Sequence, residues 1–431
     1  ASGQGKTTVT AALARLHARQ GRRVRVFKCG PDYLDPYWHQ LASGAPVQNL
    51  DLWMTGWDDC AARLHAAAQE ADLLLIEGVM GLFDGSDSVA DLAQRTGVAV
   101  LAVVDASAMG GTLGAIVHGL KTYRPGLPWA GVLANRVASP RHAQMLQDGL
   151  LAAPDWLGAL PPLGGPGGAP LLPERHLGLV AAQELPDALQ RLDAAADALA
   201  ATPLGQLDAS AWQRWATPFA PPPPAAPLPP LLAGRTIAVA RDAAFHFIYP
   251  ANLRTLEQLG AQLVFFSPVA GDELPACDAL WLPGGYPELH APALAANERL
   301  RAQLHAHVQA GKPLWAECGG LMALCESLTL LDGTAHRLWG LLPAQARMQS
   351  RLAGLGPQQL TLPAGTLRGH SFHYAQCDSR LPAVAHSQRP GTGSGAGANC
   401  EPLYQQGSVR ASFFHPWFAS DPRAAASLFG G

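Results

Sequence analysis

Short runs of uninterrupted apolar residues, separated by helical segments rich in Ala and Leu, recur in both halves of the chain. A strand that is covered on both faces needs continuous rather than alternating hydrophobicity, as in a parallel sheet flanked by helices. The sequence therefore predicts an α/β fold in each half. The predicted strands cover residues 23–27, 73–77, 98–105 and 130–135 in the first half, and residues 236–240, 262–266, 279–282 and 313–316 in the second.

A proline-rich segment over residues 217–230, TPFAPPPPAAPLPP, separates the two series of strands. Its prolines lack backbone donors and favour an extended conformation, which suits a semi-rigid spacer. The chain has 431 residues, enough for two separate cores. We expect an N-terminal domain over residues 1–200, a linker over 201–232 and a C-terminal domain over 233–431. The glycine-rich stretch 386–399 is expected to be a mobile surface loop without chemistry.

The bulk composition favours small-molecule chemistry. A formal net charge of −3 with 15% charged residues gives no general attraction to nucleic acid or to anionic membranes. No apolar stretch approaches the ~20 residues of a membrane span, and no leader peptide is recognisable, so we expect a cytoplasmic protein. Seven scattered cysteines lack the spacing of a zinc site, and we expect one to be catalytic and most to be reduced core residues: Cys29, Cys60, Cys277, Cys318, Cys325, Cys377 and Cys400.

The chain opens with ASGQGKTT, followed at once by a helical run. Glycine amides can wrap around phosphate oxygens, a lysine adds a mobile positive charge, and a threonine hydroxyl can ligate Mg²⁺. The segment therefore has the form of the end of a Walker A loop, with a glycine-rich surface turn as the alternative. The residues assigned to ATP on this basis are Gly3, Gly5, Lys6, Thr7 and Thr8.

Two features around this loop extend the prediction. The first glycine of the Walker A pattern would lie one place before Ala1, so we expect roughly ten or more preceding residues that include the strand feeding the loop. The apolar strand over residues 73–77 ends in Glu77. A carboxylate at this place can hold Mg²⁺ opposite the phosphate loop, although a core strand can also end in a surface glutamate by chance.

Residues 27–39 read FKCGPDYLDPYWH, in which two carboxylates, Asp32 and Asp35, follow a Gly-Pro turn. On a rigid loop close to a phosphate site, such carboxylates can supply a metal ligand and orient a substrate. Together with EGVMGLFDG over residues 77–85, this segment resembles the amidating domain of the cobyrinate and hydrogenobyrinate a,c-diamide synthases. That domain is similar to dethiobiotin synthetase, and the resemblance extends over nearly the whole chain.

The resemblance implies a carbon–nitrogen ligase of cobalamin biosynthesis. Such an enzyme amidates the a and c acetate carboxylates of cobyrinate or hydrogenobyrinate through acyl phosphates, with ATP, Mg²⁺ and ammonia derived from glutamine. The fold implied is a P-loop domain like that of dethiobiotin synthetase, followed by a class I glutamine amidotransferase domain. Carried over by position, it implies Lys6 on the phosphates; Thr7, Asp32 and Glu77 around Mg²⁺; Tyr33, Leu34, Asp35 and Asp84 near the substrate; and Asn135, which ends a predicted strand, near adenine.

Residues 313–324, PLWAECGGLMAL, predict a strand, a tight turn that carries Cys318, and a helix. A cysteine on such an elbow is exposed at the sheet edge, and the helix N-terminus is expected to lower its thiol pKa. Cys318 is the predicted nucleophile. The backbone amides of Gly285 and Gly319 are predicted to form an oxyanion hole, and His415 is the predicted base.

The second half resembles the triad-type glutaminase domain of the cobalamin-pathway amidases, with one departure. Many relatives carry Glu two residues after the histidine to orient it, whereas this chain has Trp417 there. Either another group orients His415, or the Cys–His pair works without a carboxylate. His370 and His373 are rival candidates for the base.

Other functions stay open at this point. A regulatory P-loop ATPase with a non-catalytic amidotransferase-like domain would explain the phosphate loop but not the cysteine elbow. Sister tetrapyrrole amidases, such as cobyric acid synthase or an amidase of nickel-containing sirohydrochlorin, are nearer alternatives. The expected partners are ATP, L-glutamine and the corrinoid, with no nucleic acid or membrane. A homodimer is expected only because symmetric dimers are common.

Overall fold

The structure, a computed structural model, describes residues 1–85, 87–164, 171–175, 178–179, 182, 185–223, 227–391 and 400–430. Residues 392–399 of the glycine-rich stretch and residues 224–226 of the proline-rich segment lie outside the described residues. The chain divides into two compact units. The first comprises residues 1–52 and 56–224, and the second comprises residues 53–55 and 225–431.

The first unit contains the following elements. Its helices are α1 (Lys6–Arg19), α2 (Asp35–Ser43), α3 (Trp57–Glu70), α4 (Val89–Thr96), α5 (Thr112–Thr122), α6 (Pro140–Asp148), α7 (Ala188–Ala200) and α8 (Ala209–Gln213). Its strands are β1 (Val24–Cys29), β2 (Gln48–Leu50), β3 (Leu73–Glu77), β4 (Val100–Asp105), β5 (Trp129–Asn135), β6 (Trp156–Ala159), β7 (Glu174–Arg175) and β8 (Gly178–Leu179).

The strands of the first unit form two parallel three-stranded sheets, in the orders β2-β1-β3 and β4-β5-β6, and the short pair β7-β8. A cavity of about 490 Å³ is lined by residues of β3 and β4, by Ala1 and by Trp212.

The ends of helix α4 show how local sequence sets the element bounds. Ser88 and Asp91 form a reciprocal capping box, in which the Ser88 hydroxyl accepts from the Asp91 amide and the Asp91 carboxylate accepts from the Ser88 amide. Both bonds satisfy amides that the first helical turn leaves without partners. Gly97, at φ 74°, ends the helix in the left-handed conformation that glycine adopts without steric cost.

Helix α1, which carries the phosphate loop at its start, is anchored on the core of the first unit. Val9, Leu13 and Leu16 are buried on one side of the helix, at the spacing of one helical face. Arg15 donates to Asp193 of α7 at 2.7 Å. The predicted linker contributes here as well, because Leu204 is buried in the same core and residues 201–223 group with the first unit.

The second unit contains helices α9 (Pro250–Gln258), α10 (Ala291–Ala296), α11 (Glu298–Gln309), α12 (Gly319–Leu324) and α13 (Pro422–Ala426). Its strands are β9 (Thr236–Ala240), β10 (Gln262–Phe266), β11 (Ala279–Leu282), β12 (Leu314–Glu317), β13 (Cys325–Thr329), β14 (Ala335–Arg337), β15 (Leu342–Met348), β16 (Gly354–Leu362), β17 (Gly365–His373), β18 (Ala375–Ser379), β19 (Ala385–His386), β20 (Pro402–Gln406), β21 (Val409–Ser412) and β22 (His415–Pro416).

A seven-stranded sheet in the order β10-β9-β11-β12-β21-β20-β19 is the main sheet of this unit. Its first five strands are parallel, and β20 and β19 continue it in antiparallel pairing. Strands β9, β11 and β12 are buried almost throughout, which is why their sequences are continuously apolar. The other strands form the sheets β14-β13-β15-β18 and β16-β17-β22. Across the described residues, no helix has the length and apolar character needed to cross a membrane.

Candidate active sites

The phosphate loop has the backbone shape that the Walker A pattern predicts. Gly3 and Gly5 adopt left-handed conformations with φ of 76° and 91°, and α1 begins at the next residue, Lys6. The Lys6 ammonium donates to the Ala1 carbonyl at 2.8 Å, so it folds back over the loop. The loop therefore presents a helix N-terminus and a lysine to the same space, as an anion site requires.

Asn135 supports this loop from the end of β5. Its side-chain amide nitrogen donates to the Gln4 carbonyl at 2.9 Å. The same nitrogen lies 2.1 Å from the place that a β-carbon on Gly5 would take, whereas a β-carbon on Gly3 would meet nothing within 4 Å. In this structure Asn135 braces the phosphate loop, and its predicted contact with adenine stays a prediction.

The two loop glycines offer a matched test of this bracing. Both substitutions Gly5→Ala and Gly3→Ala place a side chain in the left-handed region, at a cost of about 1–2 kcal/mol. Only Gly5→Ala also displaces the Asn135 amide from Gln4. We expect Gly5→Ala to raise the KM for ATP about tenfold more than Gly3→Ala does, which corresponds to about 1.4 kcal/mol. ATPase kinetics measure this, and equal KM values in the two variants would contradict it.

Thr7, Glu77 and Asp35 converge beside the loop. The Thr7 hydroxyl lies 2.7 Å from Glu77 Oε1 and 3.2 Å from Asp35 Oδ2. Glu77 is the last residue of β3, and Asp35 is the first residue of α2. The structure thus brings together Thr7 and Glu77, both predicted as Mg²⁺ ligands, and adds Asp35, which the resemblance assigns to the substrate.

Lys28 is a residue of this cluster that the sequence analysis does not identify. It lies on β1 directly across from Glu77 on β3, and its side chain is only 4% exposed. Its Nζ is bonded to the Asp35 carboxylate and lies 3.1 Å from Glu77 Oε1 and 3.6 Å from Asp32 Oδ2. A lysine next to the apolar residues Val26 and Phe27 in the predicted strand was the available signal, because a buried lysine needs paired carboxylates.

The ionisation of these groups follows from their contacts. Burial lowers the pKa of Lys28, but the carboxylates of Glu77, Asp32 and Asp35 outweigh it and raise that pKa well above its usual range. Burial raises the pKa of Glu77, but Lys28 and His39 outweigh it and hold that pKa below its usual range. His39 Nε2 is hydrogen-bonded to the second oxygen of Glu77. Lys28 and Glu77 are therefore both charged at neutral pH and form an ion pair inside the unit.

Asp32 takes a different place from Asp35. One of its oxygens accepts from the backbone amides of Leu34 and Asp35 at 2.9 and 3.0 Å, so it shapes the turn that starts α2. Burial, together with the nearby Asp35 charge, raises the pKa of Asp32 to about 6, although Lys28 opposes this. Among the described residues no three His, Cys, Asp or Glu side chains are arranged to hold a metal.

The oxygen donors next to Thr7 nevertheless have the chemistry that Mg²⁺ takes. Mg²⁺ is held by one or two carboxylates together with phosphate oxygens and waters, rather than by a complete protein cage. Glu77 Oε1 and Asp35 Oδ2 both lie within 3.2 Å of Thr7 Oγ1. Three hard oxygen donors are therefore close together. The donor set fits Mg²⁺ bound jointly with a nucleotide.

The other residues predicted near the substrate lie around the same cluster. Leu34 is buried at the start of α2 and Tyr33 is half-buried. Asp84 is exposed; it accepts from the Gly81 amide at 2.8 Å and raises the pKa of Lys6 through its charge, although burial lowers that pKa overall. Asp84 therefore acts electrostatically on the phosphate loop.

In the second unit, Cys318 forms the elbow between β12 and α12. Its φ of 46° and ψ of −104° lie in a region that non-glycine residues rarely adopt, and such strain is typical of functional positions. The turn is crowded, because a β-carbon on Gly320 would lie 2.2 Å from the Leu282 carbonyl oxygen. The backbone therefore has the shape of a nucleophile elbow, as the sequence predicts.

The protonation of Cys318 differs from the expectation drawn from the helix N-terminus. Burial raises the pKa of the thiol well above its usual value, and the charges of Glu288 and Glu401 add to the rise. The Gly319 amide lowers it, as expected, but burial outweighs that single donor. The prediction of a lowered pKa is therefore wrong for this state of the protein, and a base has to remove the proton.

The turn after β11 lies against the elbow. A β-carbon on Gly319 would lie 2.9 Å from the Gly285 amide nitrogen, and one on Gly285 would lie 2.1 Å from the Ala244 carbonyl oxygen. Only glycines allow this approach. The two backbone amides that the sequence assigns to an oxyanion hole are thus neighbours in space.

His415 lies next to the same turn. A β-carbon on Gly284 would lie 2.5 Å from His415 Cε1. Burial, with a smaller contribution from the charge of His373, lowers the pKa of His415 to about 3, so the imidazole is neutral and able to accept a proton. His370 stacks on the His415 ring at 5.0 Å, and burial lowers its pKa as well.

His373, the second rival base, and Trp417 have other contacts. His373 Nε2 lies 3.0 Å from Glu401 Oε1, and its ring stacks on Phe413. Trp417, two residues after His415, is buried against Tyr249. A tryptophan in this packing offers no carboxylate to His415.

Comparison with known proteins identifies two domains, one around each candidate site. Residues 1–162 match the CobQ/CobB/MinD/ParA nucleotide binding domain, and residues 236–423 match the CobB/CobQ-like glutamine amidotransferase domain. The protein is therefore a P-loop nucleotide-binding domain joined to a glutamine amidotransferase domain, and the predicted fold class is confirmed.

Curated relatives match along the whole chain. It is 54% identical to the hydrogenobyrinate a,c-diamide synthase of Stutzerimonas stutzeri, over 99% of this chain and 96% of that protein. It is 52% identical to the enzyme of the same name from Pseudomonas aeruginosa, over 99% and 95%. It is 48% identical to the cobyrinate a,c-diamide synthase of Herminiimonas arsenicoxydans, over 100% and 94%. The chain belongs to the cobyrinate and hydrogenobyrinate a,c-diamide synthase family, as its motifs predict.

Proposed function

We propose that this protein uses ATP and glutamine to amidate the a and c acetate carboxylates of cobyrinate or hydrogenobyrinate, as a ligase of cobalamin biosynthesis. The observation that carries the proposal is the 54% identity over 99% of the chain, since both candidate sites lie within the matched length. A regulatory ATPase would need neither the strained Cys318 elbow nor the glycine turn packed against it.

The first unit activates the carboxylate. An acetate oxygen attacks the γ-phosphorus of ATP, ADP leaves, and an acyl phosphate forms; ammonia then attacks the carbonyl carbon and phosphate leaves. Lys6 and the amides of the phosphate loop hold the transferred group, and Lys28 fixes the orientation of Asp35 and Glu77. Mg²⁺ would be held by Thr7 and Glu77, together with Asp32 from the sequence prediction. Asp35 would be a further ligand, because its carboxylate lies beside Thr7. When bound, Mg²⁺ neutralises charge on the phosphates.

The second unit supplies the ammonia. Cys318 passes its proton to His415, and its sulfur attacks the side-chain carbonyl of glutamine. The amides of Gly285 and Gly319 stabilise the oxyanion, and His415 returns the proton to the leaving ammonia. Water then hydrolyses the thioester to glutamate, with His415 again accepting and returning a proton. We also propose a cytoplasmic location, where ATP, glutamine and the acidic macrocycle are available.

Product analysis tests this function. Incubation with ATP, Mg²⁺ and glutamine plus either cobyrinate or hydrogenobyrinate should convert one macrocycle to a diamide, with one ADP per amide formed. Mass spectrometry of the macrocycle and quantification of ADP measure both quantities. The substrate that reacts decides whether cobalt is present at this step. ATP hydrolysis without an amide from either macrocycle would contradict the proposal and favour a regulatory ATPase.

A further inference from the structure

Glu317, the residue before the nucleophile, is a buried carboxyl group with a defined orientation. Its side chain is 1% exposed. Its Oε1 accepts from the indole nitrogens of Trp281 at 2.9 Å and Trp315 at 2.7 Å. Trp281 and Trp315 are register partners on β11 and β12, and residues 315 and 317 share a face of the sheet because side chains alternate along a strand. The two indoles therefore fix one oxygen of Glu317.

The second oxygen of Glu317 faces the predicted base. Oε2 lies 3.6 Å from His415 Nδ1, and both side chains are 1% exposed. The backbone produces this approach, since Glu317 pairs with Ser412 at the end of β21 and His415 follows three residues later. The His415 backbone is fixed on the other side by its pairing with His370.

We propose that Glu317 is the positioning residue of the glutaminase site, and that it orients His415 and selects its tautomer. This inference rests on the proposed roles of Cys318 and His415. A carboxylate at Nδ1 holds the ring proton there and makes Nε2 the nitrogen that accepts a proton. Sequence position hides this role, because the carboxyl precedes the nucleophile instead of following the histidine.

The proton movements balance without a further reactant. The Cys318 thiol gives its proton to His415 Nε2, which leaves a thiolate and an imidazolium whose Nδ1–H faces Glu317. The ionised carboxylate stabilises this imidazolium. When the C–N bond of glutamine breaks, Nε2–H passes to the leaving ammonia, and the ring returns to the tautomer that carries its proton on Nδ1. In the active form of the site, in which Glu317 is ionised, its carboxylate takes up no proton during the cycle.

Burial shapes the pH range in which this arrangement works. It raises the pKa of Glu317 to about 8, although the two indole hydrogen bonds lower it. Glu317 therefore loses its proton as the pH rises through about 8, and kcat/KM for glutamine should rise over the same range. Other titratable groups belong to the same electrostatic environment: Glu288 and Glu401 raise the pKa of Cys318, His373 and Glu401 act on His415 in opposite directions, and His370 stacks on the His415 ring.

The competing explanation is that Glu317 only accepts from the two buried indoles. The variant Glu317→Gln separates the roles, because its amide oxygen can still accept from Trp281 and Trp315. Its amide nitrogen would then face His415 Nδ1 and donate to it, which forces the ring proton onto Nε2. A purely structural Glu317 predicts little change, whereas a positioning Glu317 predicts the wrong tautomer.

Glutamate release by the full-length protein, measured with ATP, Mg²⁺ and the macrocycle, gives the main result. We expect Glu317→Gln to lower kcat about 10²–10⁴-fold, the range of tautomer errors in hydrolase triads, with KM changed less than about threefold. The rise in kcat/KM near pH 8 should disappear. Glu273→Gln is the matched control, because Glu273 is an exposed partner of Arg299.

A double-mutant cycle separates positioning from packing. If Glu317 acts through His415, the double variant Glu317→Gln/His415→Ala should be no slower than His415→Ala alone. Multiplied losses, or a glutaminase rate of Glu317→Gln within about threefold of wild type, would overturn the inference. If thermal unfolding shows that Glu317→Gln is not folded, Glu317→Asp replaces it in the same cycle. The shorter aspartate side chain moves the carboxylate away from His415. Full glutaminase activity in Cys318→Ala would instead overturn the proposed function.

Discussion

Replacing Cys318 with alanine should abolish glutamine-dependent amidation while ammonium chloride still supports the reaction at nearly the wild-type rate. The thiol is the proposed group that forms the thioester, so its loss should reduce glutamine-dependent turnover by at least about 10³-fold. The residues proposed to activate the carboxylate, those of the phosphate loop together with Lys28, lie in the first unit. Amide formation by mass spectrometry, with glutamine or with ammonium at a pH where free ammonia is present, measures both rates.

Cys400→Ala is the control for this experiment. Cys400 is a half-buried free cysteine outside the elbow, and its substitution should leave both nitrogen sources effective. Equal loss of the glutamine and ammonia reactions in Cys318→Ala would argue against separate roles for the two units. Unchanged glutamine-dependent activity would mean that Cys318 is not the nucleophile and that another residue attacks glutamine.

The sequence predicts the elements of this fold well because their cause is local. Strands β3, β9, β10 and β11 have the predicted bounds, since each is a continuous apolar run closed by turn residues. The left-handed Gly5 and the strained Cys318 are predictable for the same reason: a helix that starts directly after a strand or loop needs an unusual backbone conformation at that point.

What the sequence does not reveal depends on register between distant strands. Lys28 and Glu77 are 49 positions apart and become partners only because β1 and β3 pair in one register. Glu317 meets His415 only because β12 pairs with β21. The expected low pKa of Cys318 is wrong for a similar reason, because burial by the whole unit outweighs the one local amide. Pair contacts and desolvation are properties of the fold, not of a motif.

The substitution Lys28→Met should abolish amidation from either nitrogen source and also destabilise the first unit. Lys28 is buried among Asp32, Asp35 and Glu77, and removal of one partner from a buried ion cluster costs about 3–5 kcal/mol. Without the ammonium, Asp35 and Glu77 would lose the orientation in which they face Thr7. We expect ammonia-dependent amidation to fall more than about 10²-fold, as measured by product formation below the unfolding temperature.

The stability loss in Lys28→Met should depend on pH in a defined direction. Lys28 lowers the pKa values of Asp32 and Glu77, so both pKa values should be higher in the folded state of the variant. The unfavourable contribution of these two carboxylates is then present at pH 7 and is relieved as protonation begins at lower pH. Denaturant unfolding should therefore show that the free energy of unfolding of Lys28→Met differs less from that of wild type at pH 5 than at pH 7. Lys121→Met is the matched control, because the Lys121 side chain is 39% exposed where it pairs with Asp155, and an ion pair that water reaches is worth at most about 1 kcal/mol. Equal losses of stability in the two variants would show that Lys28 does not hold the cluster together. Ammonia-dependent activity of Lys28→Met within about threefold of wild type would show that Lys28 does not orient the carboxylates.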